Sequence, residues 1–202
     1  MWVIKLGGSW ITNIRLKELL NNLILYKDVP ITIVVGGGIF AETVRKSQNF
    51  LKFDDEFGHY LALLATESYA RSINNINPLI QLSDDYRNLF PKKKIKIWLP
   101  SKQLKNENTF SKDWESTSDS IACWLSKRIR AKGILFIKSV SFKNKNEFKI
   151  KILQKKGIID KNILKYKPRN ISLKIVGPEI LKLLRSKRSW SDMIMDVNNI
   201  EC

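Results

Sequence analysis

Two short apolar runs each end in glycine: V-I-K-L-G-G-S at 3–9 and I-T-I-V-V-G-G-G at 31–38. Each reads as a buried β-strand running straight into a glycine-rich turn, the pattern of a parallel sheet covered by helices. Lys5 stands late in the first strand, one residue before the turn of Gly7, Gly8 and Ser9. Two such turns at one edge of a parallel sheet gather many backbone N–H groups in one place. Bare backbone donors beside a fixed ammonium match the charge and the oxygens of a phosphate.

Strand and helix patterns alternate through the rest of the chain. After strand 2–6, residues 14–25 carry Leu16, Leu19, Leu20 and Leu23 at helical spacing. Strand 31–35 leads through the triple glycine into a short helix through Ala41, Val44 and Arg45. A long helix over 54–73 has one apolar stripe through Tyr60, Leu61, Leu64, Ala65 and Tyr69 and a second through His59, Ala62, Leu63 and Thr66. A helix apolar on two sides is expected in a core or a subunit interface, and a homo-oligomer, a dimer or higher, is the corresponding expectation. Strands follow at 79–82 and 95–99, then a polar loop at 101–113. A helix over 120–130 has Thr117 and Ser118 as N-cap candidates, with Asp119 at its N-terminus, where negative charge is favoured. Strand 134–137, a hairpin over 136–153 turning through 143–146, strand 171–176 into Gly177-Pro178, and a basic helix to Arg188 complete the series. The fold class is α/β with a mainly parallel sheet and a small hairpin addition in the C-terminal half, in one domain of 1–202.

Composition removes several classes of function. Hydrophobic residues make up 44%, too many for a disordered chain. Cys123 and Cys202 provide neither a disulfide framework nor metal-ligand spacing, and Cys123, in an apolar helical pattern, reads as a small core residue. His59 is the only histidine, so a histidine metal site and a catalytic triad fall away. No apolar run approaches the roughly 18 residues of a membrane span, which makes a cytoplasmic protein the expectation. The net charge of +17 lies in one region: residues 127–188 hold 20 Lys and Arg against 3 Asp and Glu, and the remainder balances. That region is either an electropositive field for a polyanion such as ATP or nucleic acid, the latter making the chain a non-catalytic binder, or a solvated lysine-rich surface. Few aromatics lie among these lysines, so a stacking platform for single-stranded nucleic acid is not supported.

In an open α/β sheet, ligands bind beyond the carboxyl ends of the strands, which places Lys5, Gly7–Ser9, Gly36–Gly38, Lys138 and Gly177 on one rim. There is no G-x-x-x-x-G-K-[ST], and G-G-G-I-F-A fails the dinucleotide spacing. The set in order is more specific than either turn. K-L-G-G-S at 5–9, V-V-G-G-G at 34–38, T-S-D-S-I-A at 117–122 and I-V-G-P at 175–178 resemble the successive motifs of the amino-acid-kinase superfamily, which includes aspartate, glutamate and uridylate kinases. The resemblance spans nearly the whole chain. G-H-Y-L-A-L-L-A-T-E-S-Y-A at 58–70, W-E-S-T-S-D-S-I-A-C-W-L at 114–125 and I-K-S-V at 137–140 are most similar to the short kinases of methanofuran-type cofactor synthesis. Those enzymes phosphorylate an aminomethyl-furan methyl phosphate to its diphosphate.

The resemblance implies a three-layer sandwich, the amino-acid-kinase fold, with an acceptor lobe at 1–115 and a nucleotide lobe at 116–202. It implies ATP and Mg²⁺ as cofactors, a small phosphorylated acceptor as partner, and no metal held by the protein itself. Lys5 would neutralise the transferring phosphoryl group, and Asp119 would position the catalytic ammonium groups. Gly7, Gly8, Ser9, Lys138 and Gly177 would serve the nucleotide phosphates, and Gly36, Gly37, Gly38 and His59 the acceptor. A second catalytic lysine has two candidates, Lys138 and Lys161. The chain departs from the family where I-K-S at 137–139 replaces Leu-Thr-Asp and where S-W-S-D-M-I-M at 189–195 lies near the place of a Gly-Thr turn. The histidine that isopentenyl phosphate kinases place just after the glycine loop is absent from I-F-A-E at 39–42. Plainer readings stand beside these: Asp119 as a helix-start carboxylate, His59 as a buried histidine bonded to backbone, and Trp114 as a core anchor rather than a platform for a flat ring.

Overall fold

The computed structural model describes residues 1–89, 95–142, 148–186 and 189–202. Strand β1 (Trp2–Leu6) is buried along its whole length, and a 3-10 turn over Gly8–Thr12 leads to helix α1 (Leu16–Leu23). Strand β2 (Ile31–Val35) is equally buried and passes through the triple glycine into α2 (Gly38–Leu51), followed by α3 (Asp55–Ile76). The Asp54 carboxylate accepts from the Phe57 N–H and caps α3. Strands β3 (Gln81–Ser83) and β4 (Ile95–Trp98) and the short α4 (Ser101–Leu104) precede α5 (Ser118–Arg128) and β5 (Gly133–Ile137). Helices α6 (Ile150–Lys155) and α7 (Ile163–Tyr166), strand β6 (Ser172–Val176), helices α8 (Ile180–Arg185) and α9 (Trp190–Met195) and the short β7 (Asn198–Asn199) follow.

The strands form one sheet in the order β3-β4-β2-β1-β5-β6-β7, parallel except for the β6–β7 pair. Side chains alternate across the sheet. Trp2, Ile4 and Leu6 pack on one face with Leu16, Leu19 and Leu20 of α1, Ile180 and Leu184 of α8, and Trp190 of α9. Val3, Val34, Ile134 and Phe136 pack on the other with Ile121 and Leu125 of α5, Leu153 of α6 and Ile163 of α7. Helices therefore cover both faces, as the strand pattern requires. Helix α3 reaches both cores, with Leu63 in one and Tyr69, Ala70 and Ile73 in the other, while Leu64 of its first apolar stripe is exposed. Cys123 is buried as a core residue, and Cys202 is an exposed free thiol. No helix among the described residues is long and apolar enough to cross a membrane.

Several elements differ from the expectation. The return arm of the hairpin over 136–153 is a helix: F-K-I-K-I alternates like a strand, but Ile150 and Leu153, three apart, are the residues that α6 buries. Its turn at 143–146 lies outside the described residues. Helix α2 is longer than its apolar pattern suggests, because it has no buried residue to generate a strong pattern. Helix α4 occupies the start of the stretch read as a loop. The basic helix ends at Arg185, and Arg188 lies outside the described residues.

Candidate active site

Lys5 lies in the central strand between Val34 of β2 and Phe136 of β5, on the face that meets α5. A lone ammonium in such a wall would be costly to bury. Its partner is Asp119 in the first turn of α5, with Lys5 Nζ 2.9 Å from Oδ1. Lys138, one residue past β5, donates to both oxygens of the same carboxylate, at 2.8 and 2.9 Å. All three side chains are buried, with exposures of 6%, 3% and 7% for Lys5, Asp119 and Lys138. One carboxylate thus serves two ammonium groups, and the trio carries a net positive charge.

The electrostatics follow from that ratio. Burial works against the charge of Lys5, yet Asp119, with Asp160 behind it, outweighs burial and holds the Lys5 pKa above its ordinary value. Burial also raises the Asp119 pKa, but Lys138 and Lys5 together hold it below the usual carboxylate range. Lys138 is the strained member: burial, with repulsion from Lys5, outweighs Asp119 and lowers its pKa to about 8.

A fourth charged residue braces the trio. The Asp160 N–H donates to Asp119 Oδ2 at 3.2 Å. Its carboxylate accepts from the N–H groups of Thr117 and Ser120 at 2.7 and 2.9 Å and from the Thr117 hydroxyl at 2.6 Å. Thr117 occupies the N-cap position of α5 but makes no side-chain cap. Asp160 caps the helix from a distant loop, and burial followed by the charge of Asp119 raises its pKa. Sequence reasoning missed Asp160, because a cap supplied by a residue about forty positions away has no local signature.

The two glycine turns interlock in front of this cluster. A Cβ on Gly8 would lie 2.3 Å from the Gly38 nitrogen, one on Gly36 2.6 Å from the Gly8 nitrogen, and one on Gly38, at φ +53°, 2.5 Å from the Gly8 oxygen. Only glycine permits this approach. The N–H groups of Gly7 and Gly36 are engaged by the Ile137 and Leu6 carbonyls. Those of Gly8 and Ser9, and of Gly37 and Gly38, begin helical turns, where an N–H lacks an intrahelical acceptor. The Ser9 and Ser139 hydroxyls lie 2.6 Å apart, joining the turn after β1 to that after β5. Gly177 follows β6 on the same rim, but its N–H donates to Glu179 and its Cα faces the Val140 carbonyl. Lys161 is exposed and pairs with Glu115, so of the two second-lysine candidates the structure brings Lys138 to Asp119.

A cavity of about 230 Å³ opens beside the turns, lined by Gly8, Ser9 and Gly36–Gly38, by Arg45 of α2, by His59 and Thr66 of α3, and by Asp113, Trp114 and Ser118. His59 is buried, its Nε2 has no hydrogen-bond partner among the described residues, and burial, opposed by the charge of Asp113, keeps its pKa below the ordinary value. Trp114 forms part of the wall, with its Nε1 donating to Gln48 Oε1 at 2.6 Å and the Arg45 guanidinium 4.4 Å over its ring. Trp124 is elsewhere, stacked on Trp98 in the core. Among the described residues, no group of three or more His, Cys, Asp and Glu side chains could hold a metal ion.

A lysine on the central strand, two glycine turns on the carboxyl rim and an aspartate at a facing helix start define an amino-acid-kinase fold. Solved structures share it: uridylate kinase from Archaeoglobus fulgidus, with a TM-score of 0.68 at 18% identity over 91% of this chain and 95% of that one, and an isopentenyl phosphate kinase, with 0.60 at 14% over 93% and 96%. Aspartate kinase from Synechocystis matches with 0.62 at 12% over 88% of this chain and 38% of that one. At such identities the likeness establishes the fold alone. No protein-family model matches the chain. In sequence it is 32% identical over 145 residues, 69% of its length, to the [5-(aminomethyl)furan-3-yl]methyl phosphate kinase of Methanocaldococcus jannaschii, and the match spans 66% of that relative. The chain thus has the amino-acid-kinase fold and is similar in sequence to a phosphate kinase over about two thirds of its own length.

Proposed function

We propose that the chain is a cytoplasmic, ATP-dependent kinase of a small phosphorylated acceptor, [5-(aminomethyl)furan-3-yl]methyl phosphate, which it converts to the diphosphate. The observation that carries this reading is the pair of buried ammonium groups, Lys5 and Lys138, sharing the single carboxylate of Asp119 beside two glycine turns. Two dry ammonium groups beside helix-start N–H groups suit an anion. Phosphoryl transfer needs little more than in-line positioning and neutralisation of developing charge. An oxygen of the acceptor phosphate attacks the γ-phosphorus of ATP, the bond to the ADP oxygen breaks, and ADP leaves. Lys5 and Lys138 face the transferring group, and Asp119 holds both. The cavity behind Gly36–Gly38 takes the acceptor, in the lobe 1–115, and the nucleotide occupies the lobe 116–202.

Asp119 already receives two lysines and a backbone N–H. A resident magnesium cage does not fit this donor set, and Mg²⁺ enters as the partner of the ATP phosphate oxygens, as this hard cation prefers. The test is ADP release from Mg-ATP with a panel of acceptors: the furan methyl phosphate, uridylate and isopentenyl phosphate. Turnover of the furan phosphate is expected. Turnover of another acceptor alone would reassign the substrate, and no acceptor-dependent ADP release from the panel would sink the kinase reading.

A further inference from the structure

The cavity behind the second glycine turn has a charge pattern that phosphate chemistry does not use. Glu42 and Arg45 stand on its α2 wall. From Gly38 to Arg45 the helix advances about 10 Å at 1.5 Å per residue. The far end of that wall meets the start of α3, where Gly58 abuts Gln48, and it meets Trp114, whose Nε1 donates to the same Gln48. His59 and Asp113 therefore gather at the end remote from the glycine turns.

The charges acting on His59 are Asp113, Lys112 and Glu56, and because Lys112 and Glu56 pair with each other, Asp113 remains as one negative charge in excess. Arg45 lies over the Trp114 ring, and neither Glu42 nor Asp113 is in an ion pair among the described residues. Asp113 Oδ1 accepts the Glu115 N–H at 2.9 Å, which leaves Oδ2 without a partner among the described residues. Beside it, His59 lines the cavity at 7% exposure with its Nε2 unpartnered, a polar atom that a buried site ordinarily satisfies. Burial holds the pKa of this imidazole below its ordinary value, against the charge of Asp113. The opposite end is formed by the glycine turns, with Gly8, Ser9 and Gly36–Gly38 on its lining.

We infer that Asp113, with His59 beside it, selects an acceptor bearing a primary ammonium group, whose ring lies against Trp114 and whose phosphate lies at the glycine turns. The acceptor is then a zwitterion matched end for end to the cavity. Glu42, exposed at the mouth, adds to the field. This assignment rests on the kinase reading for its phosphate end and on the charge pattern alone for its ammonium end.

The test is calorimetric binding, near pH 7, of [5-(aminomethyl)furan-3-yl]methyl phosphate and of the analogue with methyl in place of aminomethyl. The ammonium ligand is expected to bind the wild-type protein roughly tenfold to a hundredfold more tightly, the range for a charge-assisted hydrogen bond. Asp113→Asn keeps an oxygen for the Glu115 N–H but removes the charge, and is expected to abolish the preference. Asp113→Ser is a second variant with a loop acceptor, should the first not fold. Equal affinity for the two ligands, failure of both to bind, or equal weakening of both by Asp113→Asn would each overturn the inference. ADP release from Mg-ATP, measured on the same samples, decides the kinase reading separately. Preference without turnover keeps the ammonium site and removes the reaction, and turnover without preference does the reverse.

Discussion

At the scale of single residues, the charge ratio in the Lys5–Asp119–Lys138 trio makes opposite predictions for its members. Removing one lysine leaves Asp119 still paired with the other, so Lys5→Met and Lys138→Met are expected to fold while losing about 10²–10³ in turnover, the cost of one lost stabilising donor. Removing the charge of the carboxylate leaves two buried ammonium groups facing each other. Asp119→Asn is expected to lose about 3–5 kcal/mol of stability as well as activity, measured by denaturant unfolding. A lysine variant that unfolds as readily as the aspartate variant would contradict this charge count. Lys138 adds a pH signature. Its pKa of about 8, against an ordinary 10.5, means that it sheds its proton as pH rises through 8. The kcat/KM profile should fall there, more than two units below a normal lysine. Between pH 8 and 10.5 the unfolded chain binds more protons than the folded one, so this group's contribution to stability rises with pH in that window. The catalytic and the stability effects thus have opposite signs.

At the scale of elements, the site depends on how closely backbone segments approach. Gly8→Ala would push a methyl into the backbone of Gly38, and no side-chain rotation relieves the clash. Loss of both stability and turnover is expected, read as Tm and kcat. Gly157→Ala is the control: its φ is +64° but nothing lies within 4 Å, so the cost is only that of the left-handed conformation, about 1–2 kcal/mol. Asp160→Ala should cost about 0.5–2 kcal/mol as a lost helix cap and lower kcat by freeing the loop that holds Asp119. Asp160→Asn, which still offers an oxygen to two N–H groups, should restore most of both.

The same elements explain what was legible in the sequence. Strands β1, β2, β5 and β6 were readable because their apolar runs end in glycine or at a change to polar residues, and Asp119 because helix starts have a local chemistry. Helix α6 was misread because lysines between isoleucines give a period of two whatever face is buried. Helix α2 was underread because none of its residues is fully buried. Asp160, Arg45 and Asp113 were illegible as a site, since only the tertiary fold brings their loops and helices to the same rim and cavity.

At the scale of the whole molecule, the question is what the charge of +17 does, given that it lies within 127–188. Part of it is neutralised locally, as where Arg128 pairs with Glu107 and Lys161 with Glu115. Much of the rest sits on the helices and loops of the half that the proposed nucleotide site occupies. A field of one sign over that half would steer a polyanion and would do much less for a small zwitterion. The two substrates of the proposed reaction therefore report on it differently. Raising salt from about 0.01 M to 0.1 M shortens the screening length from about 30 Å to about 10 Å. Over that range kcat/KM for ATP should fall several-fold, provided that ATP capture limits it, while kcat/KM for the furan phosphate changes little. Parallel declines would mean that salt acts on the shared lysine cluster rather than through the C-terminal half. No decline for either would make the lysine-rich surface a solvated coat without a part in substrate capture. Charge-neutralising substitutions at exposed positions such as Lys151 and Lys155 then separate the first two outcomes, since they lie outside the site and can alter only the long-range field.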